Sequence, residues 1–273
     1  MINVKNITIR KELSKYIRKI SIFQSEDTHG FKHKLTPSAF TYLSYNHGDI
    51  PISFFGGKKV HPSGRLQIAG PKINENIQVE YIGSLSQILV EFTASGFYYL
   101  FHKSPYDLTN KLSEVSNFIS KELYNNLETN LVKYDDPIDQ VNIIERILLE
   151  LSYKALPFID YIEESIKLID KHFGNITVSD VVTKIRRGKR QFDRKFHDVV
   201  GVSPKYYAKI VQLYHVLNVI CSKNYSSIQE LAFKGEFYDL PHFVNAFKKL
   251  TGFTPSEFIK SDKHIALKYF NEI

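Results

Sequence analysis

The sequence has very few of the residues that stabilise small secreted proteins or anchor membrane proteins. The 273 residues contain no tryptophan, one methionine and a single cysteine, Cys221. One cysteine excludes an internal disulfide and is typical of a reducing compartment. There is no secretory signal pattern and no apolar run long enough to span a bilayer. We therefore expect a cytoplasmic protein with no membrane partner.

Patterns that mark catalytic and metal sites are also missing. The chain has no glycine-rich phosphate loop, no Gly-x-Ser-x-Gly turn and no paired-carboxylate motif. Cys221 falls on the apolar side of a predicted helix, where a packed thiol is expected. His29 and His33 are four residues apart, but Gly30 between them disfavours a helical pair and no third ligand follows at suitable spacing, so we expect surface histidines. The sequence predicts no enzyme, no metal site and no cofactor.

Basic residues are present in excess, and the excess lies in the C-terminal part. The formal net charge is +7. Divided at Pro157, the first part has 18 basic and 16 acidic residues, and the second has 18 basic and 13 acidic. The net charge is thus +2 before this point and +5 after it. This distribution favours a polyanionic partner for the second part.

The segment from Ile176 to Pro204 has the pattern of a helix, a break at Gly188 and a second helix. We expect Ser179 to cap the first helix. Apolar residues at helical spacing predict the buried sides, Val181, Val182 and Ile185 in the first helix and Phe192, Phe196 and Val199 in the second. Between positions 184 and 195, seven basic residues accompany one acid, Asp193. Such a unit suits a DNA major groove, although a solvated charged face is the alternative.

The segment from Ser226 to Pro255 repeats this layout, which makes the DNA-binding interpretation stronger. Ser227 and Glu230 have capping-box spacing, Asp239 is placed to cap the next helix, and Pro241 falls in its first turn. The predicted inward stripe of that helix consists of Phe243, Phe247 and Leu250. Both segments end alike, in Gly201-Val202-Ser203-Pro204 and in Gly252-Phe253-Thr254-Pro255.

These motifs resemble those of the AraC/XylS family of transcription regulators. Val200-Gly201-Val202-Ser203-Pro204-Lys205 is similar to the family's exit from its first unit. Phe237-x-Asp239-x-x-x-Phe243-x-x-x-Phe247-Lys248-Lys249 with Gly252-x-Thr254-Pro255 is similar to its C-terminal signature. The resemblance covers roughly residues 160 to 260 and implies two helix-turn-helix units that read neighbouring major-groove segments. A helix beginning at Ser203-Pro204 would join the units.

The chain departs from the family pattern at three positions. Gly235 precedes Glu236, whereas the family usually has its glycine directly before the phenylalanine. Gln212 and Asn245 replace arginines that are common in the joining helix and in the second recognition helix.

The candidate DNA contacts follow from side-chain chemistry and from the match to the family motif. Arg190 and Arg194 suit guanine, because a guanidinium pairs bidentately with O6 and N7. Asp193 either accepts from cytosine N4 or orients Arg194. In the second unit His242 and Asn245 match exposed positions, and Asn245 either reads adenine or is simply solvated. Phosphate contacts are expected from the lysines, Lys189, Lys195, Lys248 and Lys249.

The first 110 residues have the alternation and turn residues of β-structure. Predicted strands include Ala39 to Tyr45, Ile52 to Phe55, Leu66 to Ala69, Val79 to Ile82 and Gln87 to Phe92. A short helix is expected from Gly96 to Phe101, and helical periodicity from Leu112 onward. The predicted fold class is therefore α+β: a β-rich, barrel- or sandwich-like N-terminal domain with helices, followed by an all-α tandem helix-turn-helix domain. The expected domains are residues 1–156, 157–262 and a C-terminal tail, 263–273.

Residues 95–110 resemble an N-terminal domain found on some AraC/XylS members, which implies a sensing or dimerisation role. Phe40, Tyr42, Phe54 and Phe92 are candidates to line an effector cavity, or they are ordinary core. The helix opened by Pro137 has an apolar stripe that packs on the β-core or forms a homodimer through residues 138–151. RNA polymerase is a further candidate partner. The alternative is a regulator without an effector, controlled by oligomerisation or by a protein partner.

Overall fold

A computed structural model describes residues 2–25, 30–60, 64–73 and 77–260. The chain divides into two compact units. The first consists of Met1–Lys34, Phe40–Phe158 and Asp198–Gly201, and the second of Leu35–Ala39, Ile159–His197 and Val202–Ile273. The first unit contains the strands and the second is helical, which confirms the predicted α+β class. The proposed domain limits at residues 156 and 262 remain a prediction.

Antiparallel strands form two sheets in the first unit. Within the described residues the strands are β1 (Asn3–Ile7), β2 (Ile17–Ser25), β3 (Phe31–Lys34), β4 (Tyr42–Asn46), β5 (Ile52–Phe55), β6 (Lys58–Val60), β7 (Leu66–Ala69), β8 (Ile77–Tyr81), β9 (Leu85–Phe92) and β10 (Leu112–Glu114). The larger sheet has the order β1-β2-β9-β4-β7-β10 and the smaller has the order β3-β8-β5-β6. Apart from β1-β2 and β5-β6, the paired strands are not consecutive in sequence, as in a closed or sandwiched β-domain.

Helices occur in both units of the described chain. They are α1 (Gly96–Phe101), α2 (Lys121–Lys133), α3 (Pro137–Ser152), α4 (Asp160–Lys171), α5 (Val178–Ile185), α6 (Lys189–Val200), α7 (Pro204–Cys221), α8 (Ile228–Lys234), α9 (Leu240–Thr251) and α10 (Pro255–Lys260). The predicted helix at Gly96–Phe101 is confirmed. Among the helices of the described ranges, none is both long and apolar enough to cross a membrane.

One face of the larger sheet is apolar and packs against helices. Phe92 meets Phe97 and Phe101 of α1 edge-on, with ring centroids 5.9 and 5.7 Å apart. On β4 the Tyr45 hydroxyl reaches the Leu131 carbonyl of α2 at 3.5 Å. Because side chains alternate along a strand, the residues between these positions belong to the other face.

Helix α3 packs its apolar stripe inside the first unit. Of the six residues in this stripe, Val141, Ile144, Ile147 and Leu148 are buried, and Ile138 and Leu151 are partly exposed. The helix is also fastened through Glu145, which accepts hydrogen bonds from the Arg10 backbone nitrogen at 3.1 Å and from Arg10 Nε at 3.0 Å. Of the two predicted roles for the stripe, the structure supports packing within the chain.

Several sequence expectations for the first unit were wrong or incomplete. Helical structure does not begin at Leu112, because Leu112–Glu114 pairs with β7 as an edge strand before α2 starts at Lys121. Strands β1, β2, β3 and β6 were not predicted from the sequence. Charged residues such as Arg18 and Lys19 interrupt the apolar pattern of β2, although Lys19 is buried. His33 is likewise buried rather than at the surface, while His29 and the tail 263–273 lie outside the described residues.

Candidate nucleic-acid interface

The first helix-turn-helix unit consists of α5 and α6, and its N-cap differs from the one predicted. Thr177, not Ser179, caps α5: its Oγ1 accepts a hydrogen bond from the Asp180 backbone nitrogen at 3.1 Å. Thr177 Oγ1 also donates to the Asp180 carboxylate at 2.7 Å. The helix therefore begins two residues earlier than expected, because Thr177 and Asp180 have the spacing of a capping pair. Ser179 lies in the first turn.

The turn between α5 and α6 depends on an arginine in the left-handed region. Arg186 has a φ of +52° and its backbone nitrogen bonds to the Val182 carbonyl. Gly188 then precedes α6, and its carbonyl accepts from the Phe192 nitrogen at 2.9 Å. The expected break is therefore present, with the unusual backbone conformation at Arg186 rather than at the glycine. A side chain in this conformation costs about 1–2 kcal/mol relative to right-handed backbone.

Helix α6 has one side in the core and one side open to solvent. Phe192, Phe196 and Val199 are fully buried, which confirms the predicted inward stripe. The Phe192 and Phe196 rings meet edge-on with centroids 5.5 Å apart. Arg190 and Arg194 are exposed one helical turn apart. Residues four apart share a helix face, so the two guanidinium groups project from the same side.

The other predicted contacts of this unit vary in exposure. Lys189 is exposed, whereas Asp193 and Lys195 are partly buried. Arg187, which also belongs to the basic run, lies over the Tyr161 ring of α4, with its guanidinium carbon 5.0 Å from the ring centroid. Arg187 therefore has a structural contact within the domain, in addition to its charge.

The second unit, α8 and α9, repeats the architecture of the first. Ser227 caps α8 and Asp239 caps α9 through the His242 backbone nitrogen at 2.7 Å, and Pro241 lies in the first turn, all as predicted. Phe243 and Phe247 are buried with ring centroids 5.8 Å apart, while Leu250 is only partly buried. The interplanar angle of 63° equals that of the Phe192–Phe196 pair. The two cores are thus built alike.

The solvent side of α9 has a different chemistry from that of α6. His242, Asn245, Lys248 and Lys249 are all exposed. The two lysines lie in the last turn, where a cation is favoured by the helix dipole. Immediately before the α9 cap, the Tyr238 side chain is 95% exposed, a position that the sequence analysis did not select. Arginine is thus absent from the outer side of α9, and His242 and Asn245 occupy its N-terminal half.

Helix α7 joins the two units and is continuous from Pro204 to Cys221, as predicted. Ser203 caps it by accepting from the Tyr206 nitrogen at 3.2 Å. The exits before α7 and α10 correspond in geometry, since Gly201 and Gly252 have φ values of +84° and +82°. Thr254 caps α10 as Ser203 caps α7, through the Glu257 nitrogen at 3.3 Å. The repeat therefore extends beyond the two helix pairs to the helix that follows each.

Residues 181–261 match the family model described as a helix-turn-helix domain. The C-terminal region is an AraC-type DNA-binding domain. The predicted resemblance to AraC/XylS regulators is thereby confirmed over this range, which is less than half of the chain.

Among solved structures, ToxT from Vibrio cholerae is 11% identical, with 88% of this chain and 97% of ToxT covered at a TM-score of 0.49. A second ToxT structure, with an unsaturated fatty acid bound, gives 12% identity, coverages of 93% and 96% and a TM-score of 0.48. The AraC-like transcriptional activator CuxR gives 12% identity, coverages of 76% and 83% and a TM-score of 0.24. No curated protein matches the sequence.

Outside the AraC-type domain, the four aromatic residues proposed to line an effector cavity do not share one face. Tyr42 is paired with Glu91, so the next residue, Phe92, lies on the opposite face of the larger sheet, against α1. Phe54 belongs to the smaller sheet, where it shares the Lys32 face, 5.6 Å from the Lys32 amine. Phe40 lies under the Arg18 guanidinium at 4.8 Å. The register separates Tyr42 from Phe92, which sequence alone does not reveal, and an effector site at these four residues remains a prediction.

The face of the larger sheet that carries Tyr42 is polar and buried. It includes Lys19 and Glu91, which pair across β2 and β9, and Ser44 and Gln67, which pair across β4 and β7. The Lys72 amine lies 4.1 Å from the Tyr42 ring centroid. Burial lowers the pKa of Lys72 to about 8, although the nearby Glu91 carboxylate opposes this shift.

Within the described residues, no group of three or more His, Cys, Asp or Glu side chains is arranged to hold a metal ion.

Proposed function

We propose that this protein is a sequence-specific transcription regulator whose two helix-turn-helix units bind neighbouring major-groove segments of one DNA duplex. The observation that carries the proposal is the pair of exposed arginines, Arg190 and Arg194, on a helix whose opposite side is fixed in the core. A recognition helix needs a rigid buried side and free donors on the other, and α6 has both. Guanine is the base that two such guanidinium groups favour.

The proposal divides the candidate contacts into two chemical classes. Arg190, Arg194 and Asn245 have side chains that pair with base edges, so they are assigned to sequence discrimination. The exposed lysines Lys189, Lys248 and Lys249 are assigned to phosphates, which add affinity and salt dependence without sequence choice. Asp193, Lys195 and His242 complete the proposed interface.

The test starts from duplexes selected from a random DNA pool and compares two variants on them. Arg190→Ala is expected to lose discrimination at one base pair, by about 1–3 kcal/mol. Lys248→Ala is expected to weaken binding to all sequences equally and to reduce the salt dependence by about one phosphate contact. Titrations on matched and single-base-mutated sites at two salt concentrations separate these effects. Identical behaviour of the two variants would contradict the assignment.

The second part of the proposal is a small-molecule effector that binds the N-terminal, β-rich unit. The face around Tyr42, Lys72 and Glu91 supports it, because this face places an amine against an aromatic ring and beside buried polar groups, with Glu91 itself paired to Arg18. We favour this face over the aromatic set of Phe40, Phe54 and Phe92 as the candidate site. An amine beside an aromatic ring favours a carboxylate-bearing ligand with an apolar body.

The effector is tested by thermal unfolding with medium-chain carboxylic acids and the matching amides. A ligand that binds only the native state raises the melting temperature, and at 100 times its Kd it adds about 2.7 kcal/mol of stability. Wild type and Phe54→Ala, a change on the other sheet, are expected to respond to the acids, and Lys72→Met is expected not to respond. An equal response in Lys72→Met would exclude this site. No response in any protein would favour control by oligomerisation or by a protein partner.

Protein partners form the last part of the proposal. A homodimer through residues 138–151 would use the exposed side of α3, which presents Asp139, Asn142, Arg146 and Glu150, since the apolar stripe is packed within the chain. Sedimentation velocity of wild type and Arg146→Glu tests this interface: a dimer that dissociates in the variant supports it. Contact with RNA polymerase would make the protein an activator, and run-off transcription on a selected site tests it.

A further inference from the structure

Two polar side chains of α7 bind the backbone at the turn of the second unit. Gln212 Nε2 lies 2.9 Å from the Gly235 carbonyl and 3.3 Å from the Glu236 carbonyl. One turn further along, His215 Nε2 lies 2.8 Å from the Lys234 carbonyl. Since a carbonyl only accepts, both nitrogens donate. The last carbonyls of a helix have no partner within it, and α7 supplies partners at the end of α8.

Gly235 allows this close approach. A Cβ atom at position 235 would lie 2.6 Å from Val216 Cγ2 of α7, which is closer than carbon atoms can pack. The φ of Gly235 is −78°, so the requirement is for space and not for an unusual backbone conformation. The glycine brings the three carbonyls of the turn within reach of Gln212 and His215.

The same part of α7 is packed against the loop between α4 and α5, which leads into the first helix-turn-helix unit. The Phe173 ring stacks on the His215 ring with centroids 4.1 Å apart and an interplanar angle of 19°. Gly174 has a φ of +80°, and a Cβ there would lie 2.0 Å from the Ala208 carbonyl oxygen. His215 therefore has the α4–α5 loop on one side and the α8 terminus on the other.

We propose that Gln212 and His215 are positioning residues that hold the second recognition helix, α9, at a fixed orientation relative to the first, α6. The inference rests on the proposed DNA-binding function. The turn whose carbonyls they bind leads directly into α9, and α7 leads directly out of α6. With a rigid connection, both recognition helices can bind together only when the two half-sites have one particular spacing and rotational phase. Gln212 supplies the donor where arginine is common in the family.

A purely stabilising role would make a different prediction from a positioning role. If the three hydrogen bonds only stabilised the fold, their loss would lower the fraction of folded protein and weaken binding to every duplex in proportion. If they fix the orientation, their loss relaxes the dependence of affinity on half-site spacing. The ratio of affinities for two spacings therefore separates the roles.

The experiment measures fluorescence anisotropy on selected duplexes with the half-sites at their selected spacing and with two base pairs inserted between them. Two inserted base pairs rotate one half-site by roughly 70° about the duplex, since one turn takes about 10–10.5 base pairs. Wild type is expected to lose affinity by about tenfold or more, because the second unit no longer binds as a tethered neighbour.

The decisive variant is Gln212→Glu combined with His215→Phe, which removes the donors while preserving approximate shape. Gln212→Lys and His215→Gln are the conservative replacements, because each retains a donor. Gln229→Glu, on the exposed side of α8, adds the same charge without touching the turn. Thermal unfolding of every variant checks that it is folded at the assay temperature.

The double variant is expected to bind the duplex with the selected spacing more weakly than wild type. Its ratio of affinities for the two spacings should be at least threefold smaller. The conservative replacements and Gln229→Glu should keep the wild-type ratio. An unchanged ratio in the folded double variant would overturn the proposal, as would a wild type that ignores the insertion. If the double variant is unfolded, the single changes Gln212→Glu and His215→Phe are judged by the same ratio. Absence of duplex binding by wild type would refute the proposed function itself.

Discussion

The two helix-turn-helix units have closely similar cores and dissimilar outer faces. Phe192 and Phe196 in the first unit and Phe243 and Phe247 in the second are buried with the same edge-on geometry. Outside, α6 presents two arginines, whereas α9 presents His242, Asn245 and two lysines. Folding constrains the buried phenylalanines alike in both copies, but the surface is free to diverge. We therefore expect sequence discrimination to lie mainly in the first helix-turn-helix unit.

The largest expected effect tests the common core. Phe196→Ala and Phe247→Ala each remove a fully buried ring, so each is expected to cost about 3–5 kcal/mol of unfolding free energy. Urea unfolding followed by circular dichroism measures both. Phe173 is 46% exposed, so Phe173→Ala is expected to lower the unfolding free energy by less than either core variant. If one core variant loses less than half as much unfolding free energy as the other, the two helix-turn-helix units are not packed equivalently.

The next effect tests the divergent faces. Arg194→Ala is expected to weaken binding to the selected site by about 1–3 kcal/mol, or roughly 5- to 150-fold, because a bidentate base contact is lost. Asn245→Ala, at the matching position of α9, is expected to have a smaller effect. The reciprocal change Asn245→Arg should raise affinity, as the added guanidinium is an additional donor. A larger loss for Asn245→Ala than for Arg194→Ala would reverse the proposed division of labour.

A smaller effect concerns the two turns, each of which has a non-glycine residue in the left-handed region. The φ values are +52° at Arg186 and +59° at Glu236. Glycine at either position is expected to stabilise the domain by about 1 kcal/mol, since it relieves this strain. The effects on DNA affinity should be opposite in sign, because Glu236→Gly removes an anion and Arg186→Gly removes a cation. Melting curves and titrations of both variants test this contrast, and DNA affinities that change in the same direction would contradict it.

The smallest expected effect is the loss of stability of the second helix-turn-helix unit in acid. Ser226 donates from its hydroxyl and backbone nitrogen to Glu230 at 2.6 and 2.7 Å, and these bonds lower the pKa of Glu230 to about 2. A carboxylate with a lowered native pKa adds stability that is complete above about pH 4.5 and is lost as the pH falls toward 2. The stability difference between wild type and Glu230→Gln should therefore shrink over this range. Glu164→Gln controls for the loss of an exposed carboxylate, and a difference independent of pH would exclude the mechanism.

The sequence was sufficient for features that depend on local periodicity. The phenylalanine stripes, the caps at Ser227 and Asp239 and the start of α7 at Ser203-Pro204 are properties of neighbouring residues. The cap of α5 was misplaced because Ser179 and Thr177 are both good caps, and only the backbone shows which one accepts the Asp180 nitrogen.

Features that depend on distant contacts could not be read from the sequence. Tyr42 and Phe92 belong to the same sheet, yet the register with Glu91 places them on opposite faces. The hydrogen bonds of Gln212 and His215 span 19 to 24 residues, and nothing in their local sequence distinguishes them from solvated polar side chains. The DNA contacts themselves remain predictions, since they depend on a second molecule.

We expect the two helix-turn-helix units to contact one duplex, with guanine recognition in the first of them. Hydroxyl-radical footprinting on a selected site, combined with methylation interference at guanine N7, tests it most directly. We expect two protected segments centred about one helical turn apart on the same side of the duplex, with interference at guanines in one of them. Interference there should disappear when Arg190 and Arg194 are replaced by alanine. A single protected segment, or the same guanine interference in the double alanine variant, would contradict the account.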